Sequence, residues 1–241
     1  MSPTDNRGNP DAFRHWLSVA RENPKPGTRD LWGKPDDLAQ LAANAIAYAD
    51  QRADVIVPEN MRARLACARG CHHCCYLPVE TSVPEAIHLA LAARSTFNKD
   101  TLAAVSLRTH AAAAAYGVAA TTGAPPENIP CPILKDGACG LYGARPLACR
   151  GWNSLDASVC EQAKELGARK VKVPLYTPLR AVYATTGAAL AKRLSGAGLE
   201  ASVYLAPALS ALLCGDPDAA VSAWLDGKPL TIDQPRKTPA C

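Results

Sequence analysis

Four cysteines fall within nine residues in the run Cys67-Ala68-Arg69-Gly70-Cys71-His72-His73-Cys74-Cys75, and no other feature constrains the chain as much. Cysteine can be simply a small buried hydrophobe, but thiols this tightly spaced point to metal ligation or redox chemistry before disulfides. If the run is helical, a step of about 100° per residue puts Cys67, Cys71, Cys74 and Cys75 on one face, within an arc of about 100°. Gly70 weakens a continuous helix, so a turn leading into a helix at Cys71 is an equal expectation. Either way, Cys71-x-x-Cys74 has the spacing with which two thiolates grip one ion. Cys74 and Cys75 are adjacent, and neighbouring side chains diverge. Such a pair serves two metals or a polynuclear cluster more naturally than one tetrahedral ion. His72 and His73 are imidazoles of a kind that suits zinc and iron. With thiols in surplus, both are read as supporting residues rather than ligands.

A second run supplies Cys131, Cys139 and Cys149, and Cys160 follows soon after. Their spacings are too wide for a zinc knuckle, so tertiary structure must bring them together. The intervening glycines and prolines suit tight turns that aim the sulfurs. Cys160 completes eight candidate ligands: Cys67, Cys71, Cys74, Cys75, Cys131, Cys139, Cys149 and Cys160. Cys214, at a helix end, is expected to be a buried thiol, and Cys241, the last residue, a free one.

The two runs read C-x-x-G-C-x-x-C-C at Cys67 to Cys75 and C-P-x-L-x-x-G-x-C-x-x-Y-x-x-R-P-x-x-C-R at Cys131 to Arg150. In this the chain resembles the CxxCxxCC cysteine-cluster proteins (YkgJ-like), over roughly residues 61 to 160, with a weaker echo at Ala223-Trp224-Leu225-Asp226-Gly227. The resemblance implies chelation of zinc or iron. A related motif occurs in flagellin lysine methylases, but only a weak Gly196-Ala197-Gly198 stands in for an S-adenosylmethionine loop, and that activity is not carried over. Tyr142, Arg145 and Arg150 match the family pattern and are the candidate cofactor-binding residues. Arginines beside thiolates offset their charge and tune a redox potential. Equally, Arg145-Pro146 could anchor a turn through a carboxylate partner.

The rest of the chain reads as helical. Hydrophobic residues make up 48% of its 241 positions, carried by Ala and Leu with only two Phe, which favours helix over sheet. Helices are expected over Asp11–Glu22, from Pro35 to about Arg52, from a Ser82-Val83-Pro84-Glu85 capping box to about Arg94, and over Leu102 to about Ala119. Three more are expected: from Thr177-Pro178 to Ser195-Gly196, from Pro207 to Cys214, and from Asp216-Pro217 to Gly227. Residues 121–130 must be loop, the remainder of residues 1–35 an arm, and the tail after Pro229 only partly ordered. Val171 to Leu175 carries the only strand pattern. The fold expectation is all-α: a helical domain with a loop-rich cysteine-cluster metal site. Three segments are expected: an N-terminal arm and helices (1–60), the cysteine region (61–160) and a C-terminal helical region packed on it (161–241).

Residues Met1 to Pro10 show no apolar stretch, and nothing approaches a membrane span, so a cytoplasmic protein with no membrane association is expected. The formal charge of +4 gives no case for nucleic acid, and it falls toward zero or below if eight thiols bind metal as thiolates. The basic runs Arg169-Lys170-Val171-Lys172 and Arg236-Lys237 read as solvated surface. No P-loop, G-x-S-x-G, H-E-x-x-H or strand-linked G-x-G-x-x-G is present, and no catalytic residue is assigned. The leading expectation is an iron–sulfur cluster, or zinc or iron ions with more than one metal, held by about eight thiolates in a redox or enzymatic role. The alternatives are a zinc-stabilised helical module binding a protein partner, and a thiol-rich metal storage or sensing protein. A small-molecule substrate is compatible with the first. A thiol-redox role through Cys71-x-x-Cys74 lacks the surrounding βαβ pattern.

Overall fold

The computed structural model of the protein describes residues 8–19, 34–120, 126, 128–167 and 170–230. Among these, helix dominates: α1 (Pro10–Val19), α2 (Pro35–Ile56), α3 (Glu59–Arg62), α4 (Val83–Thr96), α5 (Lys99–Ala120), α6 (Leu147–Gly151), α7 (Ala157–Leu166), α8 (Thr177–Gly196), α9 (Leu205–Cys214) and α10 (Pro217–Leu225). The all-α expectation holds. Two minimal antiparallel ribbons accompany the helices: β1 (Glu80–Thr81) with β4 (Val203–Tyr204), and β2 (Leu134–Lys135) with β3 (Ala138–Cys139).

Local chemistry accounts for the helix starts. Ser82 accepts from the Glu85 amide while the Glu85 carboxylate accepts from the Ser82 amide, so α4 opens on the capping box that the sequence shows. The Asn98 side chain caps α5 through the Thr101 amide, and Asp216 caps α10 through the amides of Asp218 and Ala219. Helix α2 runs four residues past its expected end, and α9 starts two residues before Pro207. Residues 171–175 make no strand: a bend at 171 leads into irregular chain, and the Pro174 carbonyl accepts from the Leu155 amide. Of the arm, residues 1–7 and 20–33 lie outside the described residues, as do most of the 121–130 loop, Arg169, the tail from 231, Arg236-Lys237 and Cys241.

The core is built from alanine and leucine. Leu38 and Ala45 of α2, Val83 and Ile87 of α4, Leu190 and Leu194 of α8, and Leu209 and Leu212 of α9 form one cluster around the fully buried Trp224. Trp224 donates its indole N–H to the Glu200 carbonyl at 3.0 Å. Helix α9 is buried along almost its whole length and α4 along its first eight residues, which is the signature of central helices. Helix α4 packs against α2 and α9, and α5 also packs on α9. Cys214, expected as a buried thiol, is half-buried, with its sulfur 3.5 Å from the Ser106 carbonyl.

His88 on α4 sits in this interior with its Nδ1 buried and without a hydrogen-bond partner. Burial, and then the nearby Arg150 charge, push its pKa from 6.5 down to about 4. The unfolded chain therefore takes up a proton first. Stability present above about pH 6.5 is expected to fall as pH drops toward about 4, by up to about 3 kcal/mol. Thermal melts at stepped pH check this, with His88→Leu expected to flatten that part of the profile.

Candidate metal centre

The first cysteine run is not a continuous helix. Residues 67–70 form an irregular turn with Gly70 at φ 99°, and a single 3-10 turn covers His73–Tyr76. Of the two expectations for this run, the turn is the one realised, with the helical turn starting at His73 rather than Cys71. The second run folds into the β2–β3 hairpin. Asp136 and Gly137 occupy its tip with φ of 49° and 73°, the type I′ geometry that Asp-Gly favours. Cys131 precedes this hairpin, Cys139 ends it, and Cys149 lies on α6. Cys160 lies on α7 and is buried.

Backbone bonds join the two runs. The Cys131 amide donates to the Cys75 carbonyl at 2.7 Å, and the Ala66 amide donates to the Ser154 carbonyl at 2.9 Å. Ser154, wholly buried, donates its hydroxyl to the Asp156 carbonyl at 2.7 Å beside Cys67 and Cys160, whose thiolates it favours. Arg108 on α5 donates to the Pro132 carbonyl, which fixes the root of the hairpin.

All eight predicted cysteines are free thiols gathered in this region. Their mutual electrostatics divide them. Burial raises Cys67 to about 11, and its thiolate is further disfavoured by Cys71, Cys74 and Cys160. Cys160 is raised by burial and by Cys71 and Cys74. On the other side, burial raises Cys131 to about 11, with Cys139 and Cys74 as its thiol neighbours. Cys149 goes well up through burial and through Cys131, Cys74 and Cys139. Cys139 is raised by burial, with Cys74 adding to it. Cys74 touches both sets. It is raised most by its hydrogen bond to Cys75, then by burial and the Cys75 charge. The charge coupling thus links Cys67, Cys71 and Cys160 with one another, and Cys131, Cys139 and Cys149 with one another, while Cys74 couples to both groups.

The family-pattern residues divide their duties. Arg145 lies over the Tyr142 ring at 3.6 Å, donates to the Tyr142 carbonyl, and is the positive charge that favours the thiolates of Cys74, Cys139 and Cys149. Arg69, from the first run, approaches the same ring at 5.8 Å. Arg150 acts mainly as an anchor. It donates to the Asp50 carboxylate at 2.8 Å, to the Arg145 carbonyl at 2.8 Å and to the Gly143 carbonyl. Asp50 also accepts from the Tyr183 hydroxyl at 2.7 Å, which ties α2, α6 and α8 together. The carboxylate anchor expected at Arg145 is made by Arg150 instead, through Asp50.

Several residues that position the thiols are not visible as site residues in the sequence. Glu85 is buried, and its second carboxylate oxygen accepts from the Leu147 amide at 2.7 Å, which fixes the start of the helix that bears Cys149. Gly151, at the other end of α6, lets the helix approach α8: a Cβ there would lie 2.8 Å from the Cβ of Tyr183. Gly151→Ala is expected to destabilise the protein by about 1–3 kcal/mol through overpacking, measured by chemical denaturation.

His72 stacks on His73 with ring centroids 5.1 Å apart. His73 Nδ1 is buried without a partner. Among the described residues, no three His, Cys, Asp or Glu groups are placed to hold one ion as they stand. The donor chemistry nevertheless fits a soft or borderline ion: eight thiols, an unpartnered imidazole nitrogen and an adjacent guanidinium. Closing a coordination sphere needs rotation of side chains within each group. No helix among the described residues is long and apolar enough to cross a membrane. Neither the curated proteins nor the solved structures contain a match to the chain. The segment that holds all eight thiols, residues 66–170, matches the CxxCxxCC family model, described as a putative zinc- or iron-chelating domain.

Proposed function

We propose that the protein holds two metal ions, zinc or iron, through its eight thiolates. Cys67, Cys71 and Cys160 serve one ion and Cys131, Cys139 and Cys149 the other. Cys74 and Cys75 supply one further sulfur to each. The observation that carries this reading is the backbone bond from the Cys131 amide to the Cys75 carbonyl, which joins the two cysteine runs, supported by a charge coupling of the thiols in two sets that share Cys74. Three sulfurs plus one make the four-sulfur environment common to zinc and iron–sulfur centres. Arg145 offsets part of the negative charge that eight thiolates bring, and Tyr142 holds its guanidinium in place.

Burial raises the thiols of Cys67, Cys131, Cys139, Cys149 and Cys160, so these give up protons on loading and metal uptake acidifies a weakly buffered solution. Anaerobic purification followed by metal and sulfide analysis tests the reading. About two ions per chain are expected if each four-sulfur set is filled. Iron with equivalent inorganic sulfide and a brown colour assigns an iron–sulfur centre; a colourless protein with zinc assigns simple ions. Protein that carries neither metal after purification and reconstitution overturns the reading.

A further inference from the structure

An open groove of about 500 Å³ runs beside the thiols. One wall is α8, which presents Ala184, Gly187, Ala188 and Ala191 on successive turns, with Arg180 on the first turn of the same face. From Arg180 to Ala191 that face extends about 16 Å. The other walls carry apolar side chains such as Leu77, Val79 and Leu205. The volume is that of a small-molecule site rather than a packing defect.

Two polar features at the groove lack partners inside the protein. Arg180 lies over the Trp152 ring at 4.7 Å, and among the described residues no carboxylate pairs with it. Thr81 is 5% exposed, lines the groove, and its hydroxyl has no hydrogen-bond partner. A buried hydroxyl without a partner is costly unless a ligand supplies one. Two acids lie on the wall. Glu85 accepts from Ser82 and from the Leu147 amide, and Glu80 is exposed on β1 opposite Tyr204. The groove is therefore mainly apolar, with two guanidiniums on its lining: Arg145, which lies over Tyr142 beside the thiols, and Arg180 on α8.

We infer that this groove binds a small anionic amphiphile, an apolar chain along α8 with its carboxylate or phosphate head at Arg180. The inference goes beyond the metal reading: it rests on Arg180, Thr81 and the apolar face of α8, and the groove sets such a molecule against six of the thiols, Cys71, Cys74, Cys75, Cys131, Cys139 and Cys149.

Sodium decanoate, titrated below its micellar concentration into the purified full-length protein by calorimetry, is the probe. Saturable binding is expected, with Trp152 fluorescence changing in parallel. Arg180→Gln, at an exposed side chain, is expected to weaken binding about tenfold, the usual effect of losing one charge-assisted contact. Ala188→Trp, on the open face of α8, is expected to abolish it with an unchanged circular dichroism spectrum. Decyl phosphate that binds more tightly than decanoate assigns a phosphate head, and the reverse a carboxylate. Absence of binding to the wild-type protein, binding to Ala188→Trp equal to wild type, or decylamine bound as well as decanoate would each overturn the inference.

Discussion

Cys149→Ser is expected to lower the metal bound from about two ions per chain to about one, and Cys160→Ser to do the same through the other set, because each removes one sulfur from a four-sulfur environment. The double variant is expected to bind almost none. Cys74→Ser stands apart: Cys74 neighbours both sets, so its loss is expected to weaken both ions. Serine keeps the size of the side chain, so packing is nearly preserved and the change reads out donor chemistry. The effect on stability should also be large. Structural zinc in small peptides contributes an apparent 10–16 kcal/mol, so loss of one ion is expected to lower the thermal midpoint by many degrees. Metal analysis by mass spectrometry, alongside thermal melts with and without chelator, measures both effects. Metal content unchanged in Cys149→Ser and Cys160→Ser would end the two-set assignment.

Glu85→Ala is the second change with a large expected effect. Its carboxylate accepts from the Ser82 amide at 2.9 Å, from the Ser82 hydroxyl at 2.6 Å and from the Leu147 amide at 2.7 Å. Removing it leaves buried donors unsatisfied at the start of α4 and of α6, at a cost of about 3 kcal/mol or more. Glu85→Gln should be intermediate, because an amide retains one acceptor oxygen but turns donor hydrogens toward a donor. The specific consequence is displacement of α6, and with it Cys149. Both variants are therefore expected to bind metal less tightly while every thiol remains. Denaturant titrations give the stability, and competition with a chromophoric chelator gives the affinity. A Glu85→Ala protein as stable as wild type would show that this clamp does not hold the second run.

The helices were legible because their signals are local. Ser82 and Glu85 are three residues apart, and Asp216-Pro217 is a cap-and-proline start that needs no tertiary context; at α8 only the proline signal holds, since Thr177 is the first helical residue and Tyr176 precedes it without a side-chain cap. The eight thiols were legible because clustered cysteines admit few readings. Short elements escaped. Asp136-Gly137 is a strong hairpin signal, yet strands of two residues leave no alternation to see. Helices α6 and α7 are too short or too mixed in composition to show a period. The second function of Glu85 and the roles of Asp50 and Tyr183 depend on partners 62 to 133 residues away.

The packing of α4 and α5 on α9 has a consequence for timing. The hairpin that brings Cys131 to Cys75 is rooted through Arg108 on α5, and α5 has its seat only when α9 is present. During synthesis, the last cluster cysteine, Cys160, leaves the ribosome roughly 3 to 10 s before Cys214 at the end of α9. For that interval the thiols have all been made but the scaffold that gathers them has not. A nascent chain would expose them to oxidants and stray ions, and the correct centre would assemble only after the C-terminal third arrives, although that third supplies no sulfur to it.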